Sequence, residues 1–358
     1  MTALDRQQRA LALLAQHDLD ALVLCARENL RYLSGFTGSD AVLLLTAGSS
    51  LFLTDSRYTT QAREQVAAER VEEYRVQAEG VAAALRDAGV RRIGFESSLA
   101  YGKVNDLRTR GDSTWEWVPL REELETLRLI KSADEVAAIE AATRLNALAF
   151  ADIQPLIQPG AVEREVALAL EFALKRLGAE EKAFDFIVAS GPRGALPHGI
   201  ASDRRLAEGE LVTIDFGCRV DGYHADETVT VGLGRVSDQL SRVFDTVLEA
   251  HDLALAAVAP GVPLVDIDRV AREYIAAAGF GEYFGHGLGH GVGLEVHEAP
   301  TVSSRSKAVV QEGMVFTVEP GIYLPGRGGV RIEDMVLATS AGARVLTRLP
   351  KQFRNLLA

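Results

Sequence analysis

Apolar positions along this chain follow two periods, and the two parts of the chain combine them differently. In the first third, helical spacing over residues 6–16 and 58–68 alternates with short apolar runs at 21–25, 41–45, 51–53 and 92–96. Runs of that length between amphipathic helices predict a buried sheet in a small α/β domain. A last strand near 115–119 leads into the polar stretch at 120–125. The boundary is therefore expected between a domain of residues 1–125 and one of residues 126–358. The later part predicts helices at 133–157 and 162–177, the second stopped by Gly178. Strands follow at 184–189, 212–218 and 222–231, then helices at 239–258 and 264–278, then strands at 314–323 and 330–338. A helix pair followed by a hairpin thus occurs twice, an α+β plan with a pseudo-twofold in its order of elements.

Composition narrows this picture little but usefully. A chain of 358 residues exceeds one ordinary core, in keeping with two domains. A net charge of −12 disfavours nucleic acid, which asks for basic stripes. No apolar run reaches the ~18 residues of a membrane span, and the first residues lack the pattern of a secretory signal. Cys25 and Cys218 sit in apolar strand text, which predicts buried free thiols and a cytoplasmic protein.

Acidic residues inside the predicted strands are the unusual feature. Asp221-Gly222 marks a two-residue turn. Pairing outward from it sets Val220 opposite Tyr223 and Gly217 opposite Asp226. Asp215 then shares a face with Asp226, and the bare Gly217 between them is expected to leave room for an ion. A second hairpin centred on Gly326 sets Glu319 opposite Glu333. Pro320-Gly321 makes a kink just where Glu319 is presented. Unpaired carboxylates on buried strands are costly, and such charges normally pair or bind metals. Three of the seven histidines, His286, His290 and His297, fall within residues 284–297, where glycine takes every second place from Gly285 to Gly293. One face of that stretch is bare backbone, open to close approach, and the other carries His286 and His290. His297 has the opposite parity, so a bend must intervene for it to reach the same site. His198, after Pro197, is a further candidate.

Taken jointly, Asp215, Asp226, His290, Glu319 and Glu333, at spacings of 11, 64, 29 and 14, resemble the ligand pattern of the pita-bread metallopeptidases. The stretches around Lys131, His198, Glu298, Glu319 and Arg331 are similar to the proline-specific branch, aminopeptidase P and prolidase. The text at 32–38 and 54–58 resembles the creatinase-type N-terminal domain of that branch. The resemblance implies a pita-bread catalytic domain behind a smaller α/β domain, and two divalent cations. Manganese is expected first, with cobalt or zinc as alternatives. One ion would be held by Asp226, His290, Glu319 and Glu333, the other by Asp215, Asp226 and Glu333. Catalytic roles fall to His198, His297 and Glu319, and substrate-binding or ligand-orienting roles to His286, Arg331, Tyr223 and Thr228. The implied reaction is hydrolysis of the bond before proline at the second position of a peptide, by a homodimer.

Two departures matter. The branch usually has an arginine three residues after the second aspartate; here that place is Val229. Prolidases tend to carry an arginine just past His-Glu-x-Pro, suited to a dipeptide's carboxylate; here it is Thr301. That tilts the expectation toward aminopeptidase P over the dipeptidase alternative, although Arg57 or Arg327 could supply the charge. Methionine aminopeptidase is disfavoured by the extra N-terminal domain. A metal-free creatinase-like hydrolase or a non-catalytic peptide-binding module is disfavoured by the complete ligand set.

Overall fold

A computed structural model describes residues 1–357, which form two compact units that divide between Arg128 and Leu129. The first holds a six-stranded mixed sheet. Its central strand, Ala21–Leu24, is buried throughout and pairs antiparallel with Ala41–Thr46 and parallel with Arg92–Glu96. A chain with Val23, Leu44, Leu53, Ile93 and Val81 in one core has too little polar surface there to sit anywhere but inside.

The second unit shows the repeated helix-pair and hairpin plan. Helix Ala133–Ile153 opens after Ser132, whose backbone N–H is satisfied by Glu135 Oε2 at 2.9 Å. Helix Glu163–Arg176 ends ahead of Gly178, whose φ of 103° only glycine adopts readily. The hairpin Leu211–Phe216 with Glu227–Gly232 follows, flanked by Ile187–Ser190. Then come helices Asp238–Ala257 and Leu264–Ala277, which bury Val243, Val247, Ala250, Ile267, Ala271 and Ile275 in one core. The second hairpin, Val315–Val318 with Asp334–Thr339, is central to a five-stranded sheet. Its tip, Gly321–Leu324 with Gly328–Arg331, forms a separate two-stranded ribbon.

Both hairpin registers follow from their turns. Asp221 and Gly222 both have positive φ, 47° and 74°, the pair a tight hairpin turn of matching twist requires. Val220 faces Tyr223, and Asp215 faces Thr228. Around Gly326, Gly321 faces Arg331 and Val318 faces Asp334, so one register runs through the kink at Glu319-Pro320. One expectation is corrected. The place a Cβ of Gly217 would take is filled by the Ala225 carbonyl oxygen, not left as space for an ion. The hairpin changes sheets there, and the close backbone approach explains the glycine. Cys25 and Cys218 are buried free thiols whose pKa values burial pushes up to about 12. No described helix is long and apolar enough to cross a membrane.

Candidate metal centre

A cavity of about 430 Å³ in the second unit is lined by Asp215, Asp226, His290, Glu319 and Glu333, together with His198, His286, His297 and Arg331. The side chains arrive from both hairpins and from the glycine-rich strand Gly289–Gly291. The bare face of that strand lets neighbours close in. A Cβ on Gly289 would strike the Thr317 carbonyl oxygen, and one on Gly291 that of Ala299. His290 is thereby pressed against the strand that carries Thr317, whose hydroxyl accepts the His290 N–H at 3.1 Å. Pairing of Gly289–Gly291 with Glu298–Val302 slips between His290 and Gly291. This irregularity turns the opposite-parity His297 toward the site, and its ring centre lies 4.3 Å from that of His290.

Ligand-capable atoms of Asp226, His290 and Glu333 all lie within 4.8 Å of one another. Burial, then the charges of Glu333, Asp215 and Glu319, push the Asp226 carboxyl well above its usual range. Burial, then Glu319 and Asp215, do the same to Glu333. Glu319 moves the other way. Burial alone would raise it, but His290, 3.3 Å away, outweighs burial with the help of His286 and Arg331. His290 is raised in turn, Glu319 overcoming its burial. Asp215 Oδ2 takes a bond from Arg331 Nη2 at 2.6 Å, while its buried Oδ1 has no hydrogen-bond partner. Three buried acids and the partly buried Glu319 thus crowd around the Arg331 guanidinium and the His290 imidazole, and one buried carboxylate oxygen is left orphaned. These are the conditions a divalent cation relieves, so the residues fit such ions.

Other expected residues divide into those at the cavity and those beside it. His286 Nε2 bonds the Tyr323 hydroxyl at 2.8 Å, and Arg331 Nη1 bonds that hydroxyl at 3.0 Å and the Pro197 carbonyl at 3.1 Å. Burial lowers the pKa of both His286 and His297, and the neighbouring His290 lowers His297 further. Thr228 is off the cavity wall but donates to Glu333 Oε2 at 2.6 Å. Tyr223 is not brought to the cavity; its hydroxyl bonds Glu135 Oε1 at 2.9 Å on the first helix of the unit. Thr317 and Tyr323 escaped the sequence reading as site residues. Both neighbour Glu319 in text that reads as plain strand, and only their hydroxyls signal a role.

This architecture matches known proteins over the full chain. A family model for metallopeptidase family M24 matches residues 137–340, and one for the creatinase/prolidase N-terminal domain matches residues 6–130. The chain belongs to metallopeptidase family M24, whose members use divalent metal ions. It is 43% identical over 342 residues to the uncharacterized peptidase YqhT of Bacillus subtilis (strain 168), covering 95% of this chain and 97% of that one. Two solved structures are similar throughout. A Xaa-Pro dipeptidase from Bacillus anthracis superposes with a TM-score of 0.96 at 38% identity, covering 99% of each chain. An X-Pro aminopeptidase from Thermotoga maritima MSB8 superposes with a TM-score of 0.89 at 37% identity, covering 98% of this chain and 99% of that one.

Proposed function

We propose that this metallopeptidase hydrolyses the bond before a proline at the second position of a peptide. The observation that carries the reading is the convergence of Asp226, His290 and Glu333 at ligand distance beside the unpartnered oxygen of Asp215. Asp226, His290, Glu319 and Glu333 would hold one cation and Asp215, Asp226 and Glu333 a second, manganese first, with cobalt or zinc as alternatives. When bound, such a pair supplies Lewis acidity and lowers the pKa of water toward neutrality.

The chain's own groups supply the rest. Glu319, held ionised by His290, can take a proton and return it to the leaving imino nitrogen. His198 and His297 line the same cavity and would donate to the oxygen that turns negative as the carbonyl is attacked. Arg331 would orient Asp215 and Thr228 would orient Glu333 through the bonds already described, while His286 would steady Tyr323, which Arg331 also bonds. Phe184, Ile187, Pro197 and Ile200 give the cavity an apolar wall suited to pyrrolidine and side-chain carbons. The proposal includes a homodimer, as the motif resemblance implies, acting in the cytoplasm, as two buried free thiols favour.

Substrate length is contested by two observations. Arg331 is the one arginine or lysine on the described cavity wall, and it is already engaged by Asp215. A dipeptide's carboxylate finds no free cation there, which favours longer peptides. The Bacillus anthracis relative, however, is named for dipeptides. Hydrolysis of Xaa-Pro and Xaa-Pro-Yaa is compared with that of Xaa-Ala-Yaa, each with added manganese, cobalt or zinc in turn. Cleavage of either proline peptide but not the alanine one supports the reading, and their ratio sets the length preference. No proline-dependent hydrolysis with any of the three metals would overturn it.

A further inference from the structure

Asp226 and Glu333 are each followed by a second acid, Glu227 and Asp334. Strand alternation sends these second acids away from the cavity. There they meet one ammonium: Lys351 Nζ lies 2.7 Å from Glu227 Oε1 and 3.3 Å from Asp334 Oδ1. The cluster is dry, with side-chain exposures of 6% for Lys351, 0% for Glu227 and 7% for Asp334. The rest of the segment joins in. Leu349 N–H donates to Glu227 Oε1 at 2.9 Å, the Thr347 hydroxyl donates to Asp334, and His251 Nε2 lies 3.2 Å from Asp334 Oδ2. On the cavity side the same two strands are tied by Thr228 to Glu333, through side chain and backbone.

Two buried carboxylates at ligand distance repel each other, and their strands need a brace that does not depend on bound cations. In a dry site, an ammonium shared by the next residue of each strand attracts strongly and fixes both. We propose that Lys351 is a positioning residue for the metal centre. By drawing Glu227 and Asp334 to one ammonium, it fixes the separation of Asp226 and Glu333 and so sets the affinity of the site for divalent cations. The proposal rests on the metal-site reading above.

The test uses the full chain, stripped by chelation and then titrated with Mn²⁺ in a calorimeter, with the visible spectrum of the Co²⁺-loaded protein reporting ligand geometry. Lys351→Arg keeps the charge but changes the shape of the head group. Lys351→Met with Glu227→Gln removes the ion pair while leaving Asp334 its bonds to His251 and Thr347. The expected result is Mn²⁺ binding about tenfold weaker, with an altered Co²⁺ spectrum, in whichever variant melts cooperatively. Wild-type affinity and spectrum in a cooperatively melting variant would overturn the proposal. Failure of both variants to fold would also overturn it, by making Lys351 a residue of the fold alone. A wild-type chain that binds no Mn²⁺ sinks the metal-site reading itself, so the two failures are told apart.

Discussion

The Thr228 hydroxyl donates to Glu333 Oε2 at 2.6 Å, binding the first acidic hairpin to the second at the cavity itself. A hydrogen bond to a charged group contributes about 1.5–3 kcal/mol, and this one favours the ionised form of Glu333 that a cation needs. Thr228→Val keeps the shape and removes the donor. Mn²⁺ binding at pH 7 is expected to weaken roughly tenfold or more, by the same energy, with helix content unchanged. Unaltered affinity in calorimetry would show the contact to be incidental.

Much of this relationship was legible in the letters, and the reason is turn chemistry. Asp221-Gly222 and the glycine-rich turn at Gly326 each fix a register, and a fixed register decides which acids face each other. The glycine alternation around His290 was readable too, because a bare strand face has few purposes. What the letters hid depends on contacts distant in sequence. Gly217 yields to a backbone carbonyl where the hairpin changes sheets, which no strand period encodes. Tyr223 neighbours the ligands in sequence but bonds Glu135 from another element. Lys351 sits in a C-terminal segment without periodic pattern, and its partner Glu227 is 124 residues away.

Removing metal has an expected sign. Burial and mutual charge raise the Asp226 and Glu333 carboxyls, so cation uptake must displace protons and affinity must fall as the pH is lowered. At about 100 times Kd, a bound ion contributes about 2.7 kcal/mol, which for a unit of this size corresponds to roughly 5–10 °C. Chelation should lower the melting temperature by that order and abolish hydrolysis. Asp226→Asn or Glu333→Gln should lose both activity and the metal-dependent shift, yet melt above the chelated wild type because the amide escapes the cost that burial and like-charge repulsion place on the carboxylate. Variants that melt below chelated wild type would contradict the repulsion argument.

Glu163 holds the segment that carries His198. Its fully buried carboxylate accepts the Ser190 N–H at 2.8 Å and hydroxyl at 2.7 Å, the Ser202 N–H at 3.1 Å and hydroxyl at 2.6 Å, and a bond from Arg193. Both ends of the segment around His198 thus converge on one side chain, while Arg331 grips Pro197 from the cavity side. Glu163→Gln replaces one accepting oxygen by an amide donor, and the backbone N–H on that side, of Ser190 or Ser202, loses its acceptor. A tenfold or greater loss of kcat/KM is expected (on the order of 1.4 kcal/mol of barrier), with Mn²⁺ affinity unchanged. Parallel loss of metal would place the fault in the fold and not in the His198 segment.

His251 gives a pH signature in stability. Its side chain is 1% exposed, with Nδ1 2.9 Å from Asp252 and Nε2 3.2 Å from Asp334, which also faces Lys351. Burial alone would lower its pKa, but the two carboxylates outweigh burial and raise it above the ordinary value. The folded chain therefore holds the proton more tightly than the unfolded chain. That stabilising share is fully present below about pH 6.5, and it is lost as the pH climbs through the raised folded value. Wild type should melt above His251→Gln at pH 6, and the gap should narrow steadily toward alkaline pH. Paired melting curves of the chelated proteins across that range decide the matter, and a gap that widens with pH would mean His251 is buried neutral.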